Sequence, residues 1–149
     1  MTDATATPDV QTETPDLEIT LPARAENVAV VRHAVGGLGE VLEVDDQTLS
    51  DIKLAVTEAC TNVVVHAYPE GEGPMSLRAA IDDRHLLLVV TDRGRGIVPR
   101  PDSPGLGLGL PLIATLAQSL ELGTGNLEET EVRMIFDLGA PALAIGGLE

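Results

Sequence analysis

Leu86-Leu87-Leu88-Val89-Val90 is an unbroken apolar run of five residues, preceded by Asp82-Asp83 and followed by Asp92-Arg93-Gly94. A run that short and that apolar suits a strand in the middle of a sheet covered on both faces. It needs layers around it. The aromatic share of the chain is 1%, one Tyr and one Phe, so those layers must be filled with Val, Leu, Ile and Ala. With 149 residues, 44% of them hydrophobic, the chain has the size and the apolar material of one domain.

The flanking pattern supplies those layers. Leu17–Leu21 alternates apolar and polar residues, which predicts a short strand stopped by Pro22. Val28, Val31, Ala34, Val35 and Leu38 recur at helical spacing and predict a helix over Ala25–Leu42, weakened by Gly36, Gly37 and Gly39. A second helix begins at a cap on Asp45 or Asp46 and carries Ile52, Val56, Ala59 and Val63 on one face, to about His66. Met75–Ile81 and His85–Thr91 read as two strands joined by a tight turn at Asp82-Asp83. Asp92–Gly109 holds five Gly and three Pro in eighteen residues, and a loop that long inside a compact domain is usually functional. A helix over Leu110–Leu120, with Pro111 in its first turn, precedes one or two strands ending in Thr130–Leu138.

Helices and strands come in blocks, which predicts an α/β (α+β) two-layer sandwich: a mixed, mainly antiparallel sheet with helices on one face. Residues 1–16 contain four acids and no base and read as a flexible acidic tail. The folded domain is expected over 17–138, followed by an apolar, Gly-rich C-terminal tail over 139–149.

Charge narrows the function classes. Twenty-four acids against nine bases give a net charge of −15, which repels phosphate backbones and anionic lipid. A single cysteine, Cys60, excludes an intrachain disulfide framework and reads as a small core residue. The N-terminus has no secretory pattern and no apolar run reaches eighteen residues, so a cytoplasmic protein is expected.

Three segments carry chemistry. In EACTNVVVHAY, Glu58, Asn62 and His66 are spaced four apart and stack along one helical stripe. An amide oxygen is a hard ligand for Mg²⁺ and a carboxylate can accept a proton, although a solvated polar stripe has the same pattern. Asp92-Arg93-Gly94-Arg95-Gly96 follows the most apolar strand. Its carboxylate can accept from an exocyclic amine, and its glycines let backbone approach a flat ligand; a strand-ending turn would use the same residues. Gly105-Leu106-Gly107-Leu108-Gly109 runs into a helix, where unpaired N–H groups hold anions, though a glycine hinge reads alike. It is neither a dinucleotide fingerprint nor a P-loop. Together the three are the parts that an adenine nucleotide with Mg²⁺ requires.

Glu58–Asn62 with His66-Ala67-Tyr68, Asp92-x-Gly94-x-Gly96-Ile97, and Gly107-Leu108-Gly109-Leu110-x-Leu112-Ile113 resemble the N, G1 and G2 boxes of the GHKL superfamily of ATP-binding domains. Within it, LAVTEACTNVVVHAY resembles the bacterial anti-sigma factor serine/threonine kinases. The resemblance implies a histidine kinase-like ATPase fold and the cofactors ATP and Mg²⁺. It implies that Glu58 is the general base toward a partner's Ser or Thr hydroxyl, and that Asn62 is the Mg²⁺ ligand. Asp92 would read adenine N6, with Gly94 and Gly96 at the ring. Gly105, Gly107 and Gly109 would lie at the phosphates, and Thr130 would support Asp92 through water. The implied partners are an antagonist protein of the STAS fold, a sigma factor and a second copy of the chain.

Two features depart from the family pattern: Glu129 stands where many relatives have Gly, and the lid, Ile97–Pro104, is short and proline-stiffened. Arg93, Arg95 and Arg100 are the cations available to phosphate. His33 and His85 have no companions at metal-ligand spacing, and His66 reads as a helix-end residue. The expected function is an ATP-dependent regulatory serine/threonine kinase. The alternative is a nucleotide-binding partner-switch module with little turnover. The catalytic half of a histidine kinase would need a phosphoacceptor helix pair upstream of Leu17.

Overall fold

The computed structural model describes residues 14–94, 106–124 and 129–139, with the backbone alone described at 106–108. Five strands, β1 (Leu17–Pro22), β2 (Pro74–Asp82), β3 (His85–Asp92), β4 (Ser119–Thr124) and β5 (Thr130–Asp137), form one sheet in the order β1-β2-β3-β5-β4. Every described pairing is antiparallel. Helices α1 (Ala25–Val41), α2 (Asp46–Asn62) and α3 (Leu106–Leu116) make the second layer.

The apolar run lands at the centre. β3 lies between β2 and β5, and Leu86, Leu88 and Val90 share one buried cluster with Val31, Val35, Ile52, Val56 and Ile113 of the helices. Leu87 and Val89 point the other way and form a second cluster with Ala80 and Ile135. Both faces of the strand are thus buried, as five apolar residues in a row demand. The chain's only Phe, Phe136, is 2% exposed; the rest of this core is aliphatic apart from Cys60 and two methionines.

Local chemistry fixes the element ends. The carboxylate of Asp45 accepts from the Thr48 N–H at 2.8 Å and caps α2. The β2–β3 turn falls on Asp83-Arg84 instead of Asp82-Asp83, because Asp82 still pairs with His85. Asp83 takes φ 58°, a left-handed conformation that Asp tolerates.

The helix expected over Leu110–Leu120 is displaced at both ends. α3 starts at Leu106, so Gly107 and Gly109 lie in helix and Pro111 lies in the helix interior, where it gives no bond to the Gly107 carbonyl. Glycine propensity argued against that start, but packing decides it: Leu110, Ile113 and Leu116 all join the core. At the other end the Gln118 N–H bonds the Ile135 carbonyl at 2.7 Å and draws the chain into the sheet as β4. The second helix also departs from expectation. Its α-form ends at Asn62, and Val63–Ala67 forms a π-turn.

Because Leu88 is fully buried between Ala79 and Met134 across the ladder, Leu88→Ala is expected to cost roughly 2–5 kcal/mol in urea unfolding. A loss below about 1 kcal/mol would contradict this central placement.

Candidate functional site

Glu58 and Asn62 lie one turn apart on α2, half-buried. α3 runs beside them, and its approach at Gly109 brings the first and third sequence segments together. A Cβ on Gly109 would stand 3.0 Å from Asn62 Nδ2, 3.2 Å from Asn62 Oδ1 and 3.4 Å from Glu58 Oε1. A side chain there would fit only tightly, with the amide head shifting by a few tenths of an ångström, so glycine gives the two heads their closest approach to this backbone. The opening is polar: a carboxylate, an amide and helix backbone face one another.

The expected stripe enters a π-turn at Val63–Ala67 before it reaches His66. The π-turn bonds i to i+5 and is wider than an α-turn, so the rotation from Asn62 to His66 differs from that between Glu58 and Asn62. π-turns inside helices are frequent at functional sites. This one delivers the carbonyl of Ala67 to Gly94, and a Cβ on Gly94 would overlap that carbonyl. The second segment is thereby seated on the end of the first.

Asp92 closes β3 directly opposite Met75 on one side and Thr130 on the other. Residues opposite each other share a face, so Asp92 and Thr130 look toward the helices with Val90 and Val132. Asp92 is 8% exposed. Its Oδ1 accepts from the Gly94 N–H at 2.8 Å, and among the described residues nothing else donates to the carboxylate. Burial pushes its pKa up, and the Gly94 N–H pulls it partly back. A carboxylate buried to this degree with one donor among the described residues is costly to keep in a fold, and it can accept from a ligand N–H.

Gly96 and Gly105 lie outside the described residues, as do Arg95 and Arg100, while Gly107 is placed in the first turn of α3. Arg93 is paired with Glu129, Nε to Oε2 at 3.3 Å, so the residue that departs from the family pattern holds the nearest described cation. Cys60 is buried, and desolvation pushes its thiol up to about 12, which makes it inert. Among the described residues no three His, Cys, Asp or Glu side chains cluster as a metal site. A cation here would rest mainly on oxygens of its ligand, with the Asn62 amide oxygen as the protein's donor.

Sequence reasoning noted Tyr68 only within a motif. Its hydroxyl accepts from the Arg93 N–H at 2.8 Å and donates to the Pro74 carbonyl at 2.6 Å, and its ring lies against Gly73, where a Cβ would overlap it. The signal was present in the composition, since Tyr68 is the chain's only tyrosine. A half-buried phenol normally finds a partner for its hydroxyl. Burial is the largest influence raising its pKa, so the hydroxyl keeps its proton and can both give and take a bond.

The raised pKa of Asp92 has a consequence for stability. The folded chain holds that proton more tightly than the unfolded chain, so the associated stability is complete below the unfolded pKa and is lost as pH rises through the folded value. At neutral pH the fold carries a buried charge. Asp92→Asn keeps an acceptor for Gly94 and removes that charge, so the ligand-free variant should melt above wild type at pH 7. The gain should shrink as pH falls through the carboxylate range. Equal melting temperatures at pH 7 would contradict the assignment.

Comparison with known proteins agrees with this geometry. Residues 21–136 match the histidine kinase-like ATPase domain family. A serine-protein kinase RsbW of Halalkalibacterium halodurans is 40% identical over 121 residues, covering 71% of this chain and 74% of that protein. A serine-protein kinase RsbW of Bacillus thuringiensis is 32% identical over 121 residues, covering 71% and 76%. The crystal structure of the RsbU and RsbW domains of Rv1364c from Mycobacterium tuberculosis superposes with a TM-score of 0.68 at 26% identity. That alignment covers 87% of this chain and 34% of the longer one. The match spans α1, α2, α3 and the central strands, and on that ground the chain belongs to the histidine kinase-like ATPase domain family.

Proposed function

We propose that the chain is an ATP- and Mg²⁺-dependent serine/threonine protein kinase that phosphorylates an antagonist protein of the STAS fold and sequesters a sigma factor in the cytoplasm. Two relatives named as serine-protein kinases support the reaction class. The observation that carries the reading is the meeting of Gly109 with the Asn62 and Glu58 heads. Its complement is a buried Asp92 carboxylate that has one donor, the Gly94 N–H, among the described residues.

A polar cradle that a single Cβ would crowd, between an amide oxygen and helix backbone, fits a metal-bound phosphate chain. The buried acceptor on β3 fits an adenine amine. In this reading Asn62 holds Mg²⁺, and Gly105, Gly107 and Gly109 let backbone N–H groups lie at the phosphates. Asp92 accepts from adenine N6, Thr130 steadies it through water, and Gly96 leaves the ring plane clear, while Gly94, whose open side is taken up by the Ala67 carbonyl, holds the turn beside the base. Bound ATP supplies the phosphoryl group and leaves as ADP, with its charge neutralised by the metal. Glu58 takes the proton from the partner's Ser or Thr hydroxyl as that oxygen is phosphorylated. The unit that does this is residues 17–138 together with Asp16, which the expected tail included but whose N–H and carboxylate bond Ala79 and Ile81 of β2; the residues before and after are appended segments. Direct nucleic-acid binding does not fit a net charge of −15.

Radiolabelled ATP with a STAS-type substrate tests the assignment. Glu58→Gln is expected to slow phosphate transfer by about 100-fold or more, the usual worth of general-base catalysis, while ATP still binds within about threefold of wild type. Tight ATP uptake with no transfer by the wild type would instead make the chain a nucleotide-held switch.

A further inference from the structure

The β2–β3 ladder stops at an instructive place. Met75 pairs with Asp92, so the next rung would join Pro74 to Arg93. Instead, the Tyr68 hydroxyl stands between these two residues, accepting from the Arg93 N–H and donating to the Pro74 carbonyl. It takes the place of a direct cross-strand bond and holds the strands apart by the width of one oxygen.

The position of that oxygen is itself fixed. The π-turn ends at Ala67, and Tyr68 leaves it with φ −126° and ψ 73°. The ring is backed by Gly73, and the Ala67 carbonyl is backed by Gly94, at two positions where any Cβ would collide. Immediately beyond the wedge, the Gly94 N–H turns back to Asp92 Oδ1. Two successive N–H groups are thus taken by different acceptors, the first by Tyr68 and the second by Asp92. The direction of the carboxylate depends on both.

We infer that Tyr68 is a positioning residue for base selection: its hydroxyl wedges β2 from β3 after Asp92 and so sets the turn that aims the Asp92 carboxylate. Tyr68 need not touch the nucleotide. The inference rests on the adenine-reading role proposed for Asp92 and goes beyond it, because it says what fixes the direction of that carboxylate. Without the hydroxyl, Pro74 and Arg93 can close one more rung or leave both groups unpaired, and in either case the turn moves. The phosphate side of the site, on α2 and α3, is held by other contacts.

Tyr68→Phe keeps the ring against Gly73 and removes only the wedge. Calorimetry with Mg²⁺ present should show ATP binding about tenfold weaker in the variant, while GTP binding changes by less than about twofold. Discrimination between the two bases then falls about tenfold, and kcat at saturating ATP stays within about twofold of wild type. An unchanged ATP-to-GTP ratio would overturn the inference, whether both affinities hold or both fall together, since general structural damage weakens both alike. Amide exchange in the ligand-free wild type is an independent readout that needs no variant to fold. The Arg93 amide should be protected as a hydrogen-bonded group, and exchange at the rate of an open loop would overturn the wedge. If wild type takes up no ATP while Arg93 is protected, the nucleotide reading fails and the base-selection role falls with it, but the wedge itself stands.

Discussion

Absence of a side chain at Gly109 lets the backbone of α3 lie against the Asn62 amide and the Glu58 carboxylate, and the rest of the site is arranged around that approach. A methyl group there would crowd the Asn62 amide, at 3.0 and 3.2 Å, and reach contact with the Glu58 carboxylate at 3.4 Å. The same device recurs at Gly94, whose α-carbon rests against the Ala67 carbonyl at the end of the π-turn. Segments 27 residues apart at Ala67 and Gly94, and 47 apart at Asn62 and Gly109, are joined by backbone meeting polar groups. The aliphatic core beneath supplies rigidity. The glycines supply room.

Asp92 shows the cost of that arrangement. It occupies a position on β3 where its neighbours on the helix-facing side are Met75, Val90 and Val132, and an apolar residue would bury there without penalty. The chain keeps a carboxylate instead and supports it with one N–H from Gly94, its one donor among the described residues. Stability is given up in the ligand-free fold and is recoverable on binding, the pattern expected of a functional group on a scaffold stable enough to carry it. Tyr68 belongs to the same economy of positions: the one tyrosine is spent on the rung where β2 and β3 must separate.

Much of this was legible in the sequence, and the reasons are specific. Leu86–Val90 announced a strand buried on both sides, and its alternating faces do enter two separate clusters. The four-residue step from Glu58 to Asn62 gave an α-helical stripe because that stretch is regular α-helix. The π-turn over Val63–Ala67 was not legible, because Val-Val-Val-His-Ala carries no mark of where the widening begins. The start of α3 was misplaced because Gly107 and Gly109 depress helix propensity, while their contacts with α2, which outweigh it, are long-range. Its end was misplaced because Gln118–Leu120 continues a plausible helical pattern until the Ile135 carbonyl claims the chain for the sheet. Gly96 and Gly105 belong to the proposed site by sequence pattern alone, as they lie outside the described residues.

The central claim is that three separated segments form one nucleotide site. An NMR titration with Mg²⁺ and ATP reads it directly, through the Asn62 side-chain amide and the backbone amides of Gly94 and Gly109. The account predicts that all three signals move along one isotherm with a single Kd, while Ala80, on the far face of the sheet, stays still. Signals that move with different affinities, or a response confined to the far face, would contradict it.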